Sequence, residues 1–260
     1  MVRYYGWYSN KRRKTTAPLI RRPKPWPLCR VRDCPSSQDT GRAPASPSRR
    51  RFATVRPGMR RKAEIILASQ SPRRRELLRQ LGVAFRIVPP CHDEQRRPGE
   101  APADYARRNA RAKACSVLAR VTADTRRLAR RCIILGADTI VVRRGRVLEK
   151  PRDTAHARAM LRALSGRRHQ VITGLCFLAT RPPAAPVART RVVRTDVQFR
   201  ALQPDEIAAY VATGEPLDKA GAYAIQGRAA HMVRGIHGSY TNVVGLPLAE
   251  VAELLKELLP

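Results

Sequence analysis

The chain has 260 residues, a formal net charge of +32 and a hydrophobic content of 43%. This apolar content is enough for a sizeable core and excludes a wholly disordered protein. No apolar run reaches the roughly 18 residues of a membrane-spanning helix, and no apolar segment of a secretory signal follows the basic N-terminus. The six cysteines form no CxxC pair, so we expect reduced thiols and a cytoplasmic protein.

The positive charge has two explanations. A strongly basic protein attracts polyanions such as nucleic acid, an anionic membrane or a phosphorylated small molecule. A bias toward arginine codons in a GC-rich genome would produce the same total, because the basic residues are spread along the chain rather than gathered in one patch. Composition alone leaves both explanations open.

Residues 1–58 differ from the rest of the chain. They contain 15 Lys and Arg, eight Pro and only two acidic residues, without helical or strand periodicity. Such a segment cannot bury enough surface to offset its ordering entropy, so we predict disorder. Three interpretations stay open: a polyanion-binding tail, an organelle transit peptide, or a start assigned too far upstream of Met59. Residues 59–260 are expected to form one complete domain.

From residue 59 onward, apolar runs alternate with amphipathic stretches. In chain order, the first predicted elements are a strand at 65–68, a helix at 72–81, a strand at 83–88 and a helix at 102–119. Next come strand-like runs at 132–135 and 139–142, a return strand at 146–148 and a helix at 153–164. The last are strands at 170–180 and 192–199, joined by a proline-rich loop, and helices at 204–213 and 246–259.

Alternating strands and helices predict a layered α/β fold. The short link at 143–146 is of hairpin length, which requires an antiparallel pair. We therefore expect a mixed, twisted sheet rather than an all-parallel one.

The first stretch that carries chemistry follows the first predicted strand. Ser69 and Ser71 offer hydroxyls, Pro72 opens the helix, and Arg73 and Arg74 lie in its first turn. Cations normally avoid the positive end of a helix dipole, so arginines there indicate a bound anion, and a guanidinium suits phosphate oxygens. The alternative is that Ser71 is only an N-cap and the arginines are a solvated face.

Acidic residues provide two further candidates. Asp138 lies within an apolar run, where a carboxylate is costly to bury unless it meets a metal or a cation or acts as a general base. A turn aspartate that caps the backbone is the alternative. Glu94 ends a short acidic cluster that suits either a divalent cation or a solvated loop.

Two later stretches are weaker signals. Lys150 lies just before a predicted helix cap, and a lone lysine is usually only solvated. Small residues and two glycines at 218–227 permit close backbone approach to a ligand, and the Gln226 amide can pair with a base edge. An ordinary loop is the alternative. The standard phosphate-binding patterns GxxxxGK[ST] and GxGxxG do not occur.

Together these stretches resemble the Maf family of nucleoside triphosphate pyrophosphatases, from Ile65 to about Leu248. The motifs that carry the resemblance are ILASQSPRRRELL, VPPCHDE, LGADTIVV, EKPRDTAHARAML, SGRRHQVITG and GEPLDKAGAYAIQG. The resemblance implies a Maf/ITPase-like fold, with two lobes around a central cleft. It also implies hydrolysis between the α and β phosphorus atoms, a divalent cation (Mg²⁺ or Mn²⁺) and a homodimer.

The resemblance also assigns roles to residues. Asp138 matches the catalytic proton acceptor, and Glu94 together with Asp138 matches the metal side of the site. The matching substrate-binding positions are Ser69, Arg73, Arg74, Lys113, Thr139, Lys150 and Gln226. The form DKAGAYAIQG is similar to the branch acting on dTTP and UTP, and a glutamine amide offers a donor and an acceptor to the O4/N3–H edge of thymine or uracil.

The resulting expectation is a cytoplasmic, metal-dependent dTTP/UTP pyrophosphatase that also suits modified pyrimidine nucleotides and requires neither nucleic acid nor a membrane. One alternative within the same class is a 7-methyl-GTP pyrophosphatase. An alternative from another class is a non-catalytic protein that binds polyanions or nucleic acid, or regulates division.

Overall fold

The computed structural model describes residues 63–123, 131–181 and 184–259, so the segment 1–58 lies outside the described residues. The strands, numbered in chain order, are β1 Glu64–Ala68, β2 Phe85–Ile87, β3 Cys132–Arg143, β4 Arg146–Leu148, β5 Arg168–Arg181, β6 Ala184–Phe199 and β7 Val233–His237. The helices are α1 Pro72–Gln80, α2 Pro102–Thr122, α3 Thr154–Leu164, α4 Pro204–Ala212, α5 Tyr240–Val244 and α6 Leu248–Leu258. None of the helices in the described ranges is long and apolar enough to span a bilayer.

All the strands belong to one sheet of seven, in the order β2-β1-β3-β5-β6-β7, with β4 paired to β3. Strand β1 is parallel to both of its neighbours, whereas every other pair is antiparallel. The predicted α/β class with a mixed sheet is therefore confirmed.

The central strands are longer than the sequence predicts. The two strand-like runs at 132–135 and 139–142 form one strand, because β3 pairs continuously with β5 from Cys132 opposite Thr180 to Val142 opposite Gln170. The proline-rich loop predicted between residues 180 and 192 is wrong from Ala184 onward, because β6 already begins there, while residues 182 and 183 lie outside the described residues. Proline is tolerated there because β7 pairs only with residues 196–199, which leaves the first part of β6 at the sheet edge.

Two elements, β7 and α5, were not predicted from the sequence. Strand β7 contains an exposed arginine and a glycine and shows no alternation of buried and exposed residues. Helix α5 has only five residues, too few for a helical period to show.

Alternate residues of β3 face opposite sides of the sheet and enter different parts of the core. On one face, Ile133 and Leu135 pack with α1 and α6, whereas Val141 packs with α3 and α4 further along the same strand. The long strands thus carry two separate apolar clusters on one face. These clusters are the cores of the two lobes that the family resemblance implies.

Helix α2 covers the opposite face at very close range. A Cβ atom on Gly136 would lie 2.2 Å from the carbonyl oxygen of Ala110, and one on Gly174 would lie 2.3 Å from that of Ala106. The helix backbone therefore rests directly on β3 and β5 where these strands carry no side chain. Gly174 is also the strand partner of Asp138, so the close approach occurs beside that carboxylate.

We expect Gly174→Ala to lower the free energy of unfolding by about 2–3 kcal/mol, because the new methyl group collides with helix backbone that cannot easily move. Chemical denaturation followed by circular dichroism measures the change. Gly235→Ala in β7 is the matched control, since its Cβ meets nothing within 4 Å. A Gly174→Ala protein as stable as this control would contradict the close packing of α2.

Candidate functional site

The cleft opens at a gap in the sheet. Strand β3 pairs with β1 as far as Gly136 and with β4 from Val141 onward, on the same side. Residues 137–140 lie between these two partners, and Asp138 and Thr139 therefore border open space rather than a strand. Because successive residues point to opposite faces, Asp138 and Thr139 present one polar side chain to each side of the sheet.

A cleft of about 520 Å³ occupies this gap, a volume typical of small-molecule sites. It is lined by the end of β1, the first turn of α1, α2, β3 and the loop before Gly227. All nine residues singled out from the sequence line it: Ser69, Arg73, Arg74, Glu94, Lys113, Asp138, Thr139, Lys150 and Gln226.

The most buried part of the site is a cluster around Asp138, whose exposed fraction is 4%. The ammonium of Lys113 lies 2.6 Å from Asp138 Oδ1 and 2.5 Å from Glu94 Oε1. The Asn109 amide donates to Asp138 Oδ2 at 3.2 Å. Both carboxylate oxygens thus have donors, which offsets the cost of burying the charge. The turn-cap interpretation of Asp138 is wrong, because the residue lies inside a strand.

On the other face, Arg74 is anchored by neutral oxygens. Its Nε donates to the Gly245 carbonyl at 2.8 Å and its Nη2 donates to Thr139 Oγ1 at 3.0 Å. Burial lowers the pKa of Arg74, although the negative charge of Asp138 acts in the opposite direction. A guanidinium held in this way keeps a positive charge available to an anion in the cleft. Ser71 does cap α1, because its hydroxyl accepts from the Arg74 backbone N–H at 3.4 Å.

The charge of the lining favours an anionic ligand. Five cationic side chains line the cleft against three carboxylates, Glu94, Asp138 and Asp218. Lys150 is exposed at one border, and Lys219 is paired with Asp218 at another. The excess of positive charge suits the oxygens of a polyphosphate.

Several residues that organise the site were missed from the sequence. Asn109 lies one helical turn before Lys113, and this i, i+4 spacing could have predicted that the two side chains share one face of α2. Buried Tyr105 donates to the Glu94 carbonyl at 2.7 Å and to Glu149 Oε1 at 3.2 Å, which ties both cleft segments to α2. Burial raises the pKa of Tyr105 to about 12, so it remains a donor. The role of Gly245 could not be predicted, because its contact is made by a backbone carbonyl and not by a side chain.

The donor set also suits a hard divalent cation. Asp138 and Glu94 both contact the ammonium of Lys113, so their two carboxylates are close neighbours. Magnesium is commonly held by one or two carboxylates together with water and substrate phosphates. In the described part of the chain, no group of three or more His, Cys, Asp or Glu side chains gathers around a metal position.

A buried carboxylate beside cationic groups, in a cleft of about 520 Å³, fits the class of proteins that bind an anionic small molecule. The chain belongs to the Maf-like protein family, whose sequence model matches residues 64–258. The resemblance drawn from the motifs is thereby confirmed.

Curated relatives are similar over the same region. A dTTP/UTP pyrophosphatase of Anaeromyxobacter sp. (strain Fw109-5) is 53% identical over 192 residues, covering 74% of this chain and 88% of the relative. Relatives of the same name from Geobacter sp. (strain M21) and Salmonella typhimurium (strain LT2) are 50% and 52% identical over 194 and 191 residues. These two alignments cover 75% and 74% of this chain, and 95% and 91% of the relatives.

One end of the cleft is bordered by an aromatic cluster. Tyr223 lines the cleft, its hydroxyl lies 2.8 Å from His169 Nε2, and both rings pack edge-on against Phe199. Burial lowers the pKa of His169 to about 4. The folded protein therefore keeps this imidazole neutral at pH values where an unfolded chain would protonate it.

We expect the free energy of unfolding to fall by about 3 kcal/mol between pH 6.5 and pH 4, because over this range only the unfolded chain takes up a proton at His169. Urea denaturation at several pH values measures this slope. His169→Gln should remove about this much of the fall, whereas His237→Gln, at an exposed histidine, should leave it unchanged. A slope that is the same in His169→Gln as in the wild type would contradict the lowered pKa of His169.

Proposed function

We propose that this protein hydrolyses dTTP and UTP to the monophosphate and pyrophosphate. The observation that carries the proposal is the buried Asp138 carboxylate, placed in the sheet gap beside a cleft rich in cationic groups. Relatives at 50–53% identity that bear the name dTTP/UTP pyrophosphatase support the same reaction.

The cationic side chains bind and orient the triphosphate. Arg74 is fixed by the Gly245 carbonyl and Thr139, so its guanidinium is already oriented before a substrate arrives. Arg73 and Lys150 border the same cleft from α1 and from the segment after β4. Such preorganised charges stabilise the negative charge on the phosphates during transfer without having to reorganise.

Asp138 acts as the general base. It takes a proton from a water molecule while the water oxygen forms a bond to the α phosphorus. The bond between the α phosphorus and the α–β bridging oxygen breaks, which releases pyrophosphate and leaves the monophosphate. Lys113 and Asn109 hold the carboxylate in place, at 2.6 and 3.2 Å. Asp138 and Glu94 would hold Mg²⁺ or Mn²⁺, which supplies further neutralisation of phosphate charge when bound.

Gln226 selects the base. It is exposed at the mouth of the cleft, and its amide provides the donor and the acceptor that complement O4 and N3–H of uracil or thymine. A pyrimidine substrate follows from this pairing, whereas the choice between ribose and deoxyribose does not. We further propose a cytoplasmic location, where these nucleotides are made, and a homodimer, as the family resemblance implies.

With Mg²⁺ or Mn²⁺, pyrophosphate release should favour dTTP and UTP over CTP, GTP and 7-methyl-GTP by about tenfold or more in kcat/KM, because the Gln226 amide is proposed to face O4 and N3–H of uracil or thymine. A coupled pyrophosphate assay on the full chain measures this panel, and a metal chelator should abolish turnover. Preference for 7-methyl-GTP would place the protein in the other branch. No turnover, with salt-dependent binding to duplex DNA, would indicate a polyanion-binding protein instead.

Asp138→Asn should lower kcat for UTP by about 1,000-fold, since an amide cannot accept the proton from water. Circular dichroism checks that the fold is retained. Asp205→Asn, at an exposed site in the first turn of α4, is the matched control and should keep full activity. Near-normal turnover of Asp138→Asn would mean that another group is the base.

A further inference from the structure

Gln226 lies on a loop outside the sheet, and Ile225 directly before it packs against the core. The loop follows Tyr223 and leads into the short helix Arg228–Met232, and its backbone turns back through a Gly227 N–H bond to the Ala224 carbonyl at 3.0 Å. If the amide of Gln226 is to distinguish one base from another, the backbone that follows Gln226 has to be held in place as well.

The Glu215 carboxylate provides such a contact. Its Oε2 accepts from the backbone N–H of Arg228 at 3.1 Å, two residues after Gln226. Its Oε1 accepts from the hydroxyl of Tyr210 at 3.1 Å. The carboxylate therefore connects helix α4 directly to the backbone of the Gln226 loop.

Gly227 leaves the space that this contact needs. A Cβ atom at position 227 would lie 1.8 Å from Glu215 Oε1 and 2.6 Å from its carboxyl carbon. The carboxylate is thus packed against the main chain of the residue that directly follows Gln226. A side chain at 227 and the carboxylate of Glu215 cannot both occupy this volume.

Tyr210 and Glu215, which support the Gln226 loop, are themselves held by burial and by hydrogen bonds. Tyr210 is buried, and burial together with the negative charge of Glu215 raises its pKa, so its hydroxyl stays protonated and continues to donate. The backbone N–H of Glu215 donates to Thr213 Oγ1 at 3.2 Å, which fixes the other end of the residue. Glu215 is not among the described residues that line the cleft, so it acts only through its neighbours.

We propose that Glu215 is a positioning residue that holds Gln226 for base selection, an inference that rests on the proposed function. Uracil presents an acceptor at O4 and a donor at N3, whereas cytosine presents a donor and then an acceptor. A glutamine amide carries both kinds of group, so a mobile side chain can pair with either base. A backbone held immediately after Gln226 limits the positions of the amide and keeps the pairing selective.

The test compares kcat/KM for UTP and CTP in the full chain. Glu215→Ala should lower the UTP to CTP ratio by about tenfold, mainly through a higher KM for UTP, while kcat/KM for CTP changes by less than about twofold. Glu215→Gln retains an oxygen for the Arg228 N–H and should restore most of the ratio. Gly227→Ala, whose new methyl group displaces the carboxylate, should lower the ratio in the same way.

Double variants separate positioning from general support of the fold. In a Gln226→Ala background, Glu215→Ala should cause no further loss of selectivity, because the residue that it positions is gone. In a Glu215→Ala background, Gly227→Ala should add little, because the space is already empty. Glu253→Ala is the matched control, because Glu253 on α6 forms an exposed ion pair with Arg191 of β6, and it should leave the ratio unchanged.

The outcomes distinguish the two proposals. If the wild type prefers UTP and both Glu215→Ala and Gly227→Ala keep its ratio, the positioning role is wrong while the proposed function stands. An equal loss of activity toward UTP and CTP, with a lower melting temperature, would show that Glu215 only supports the fold. A wild type that shows no preference for UTP would overturn the proposed function and this inference together.

Discussion

The site depends on the direct contact between helix α2 and the sheet. Because Gly136 and Gly174 have no side chains, the helix backbone comes close enough for Asn109 and Lys113 to reach Asp138. Without these two donors a carboxylate in this position would be buried without a partner, at a cost of several kcal/mol. The glycines on two neighbouring strands therefore serve both purposes: they allow the helix to pack closely, and they bring its donors to the Asp138 carboxylate.

The gap in the sheet gives this buried cluster its access to a ligand. On the side away from β5, strand β3 pairs first with β1 and at its end with β4, and the cleft lies between these two partners. The apolar clusters on either side form separate lobes on the shared long strands. Arg74, anchored at Gly245, joins the first turn of α1 to the segment between α5 and α6. The cationic lining is thus held by contacts between residues far apart in the chain.

Local sequence patterns predicted most of the fold, since periodicity and caps located β1, α1, α2, β4, α3, α4 and α6. They failed where pairing with another strand decides the structure: β6 is extended through Pro186 because β5 lies beside it. The cleft residues were found because each lies in a motif with unusual chemistry for its position, such as Asp138 in an apolar run. The Gly245 carbonyl and the Glu215 carboxylate were not found, because their importance comes from contacts that no local pattern contains.

Because Asp138 and Thr139 are adjacent in the chain, the length of β3 before them is under strong constraint. The two residues serve opposite faces of the sheet, so a slip of β3 by one residue would send the carboxylate toward Arg74 and the hydroxyl toward Lys113. Eleven consecutive pairs with β5 fix the alignment. A single inserted or deleted residue between Cys132 and Asp138 would invert the site while leaving every functional side chain present. Length changes in this strand are therefore less tolerable than many substitutions.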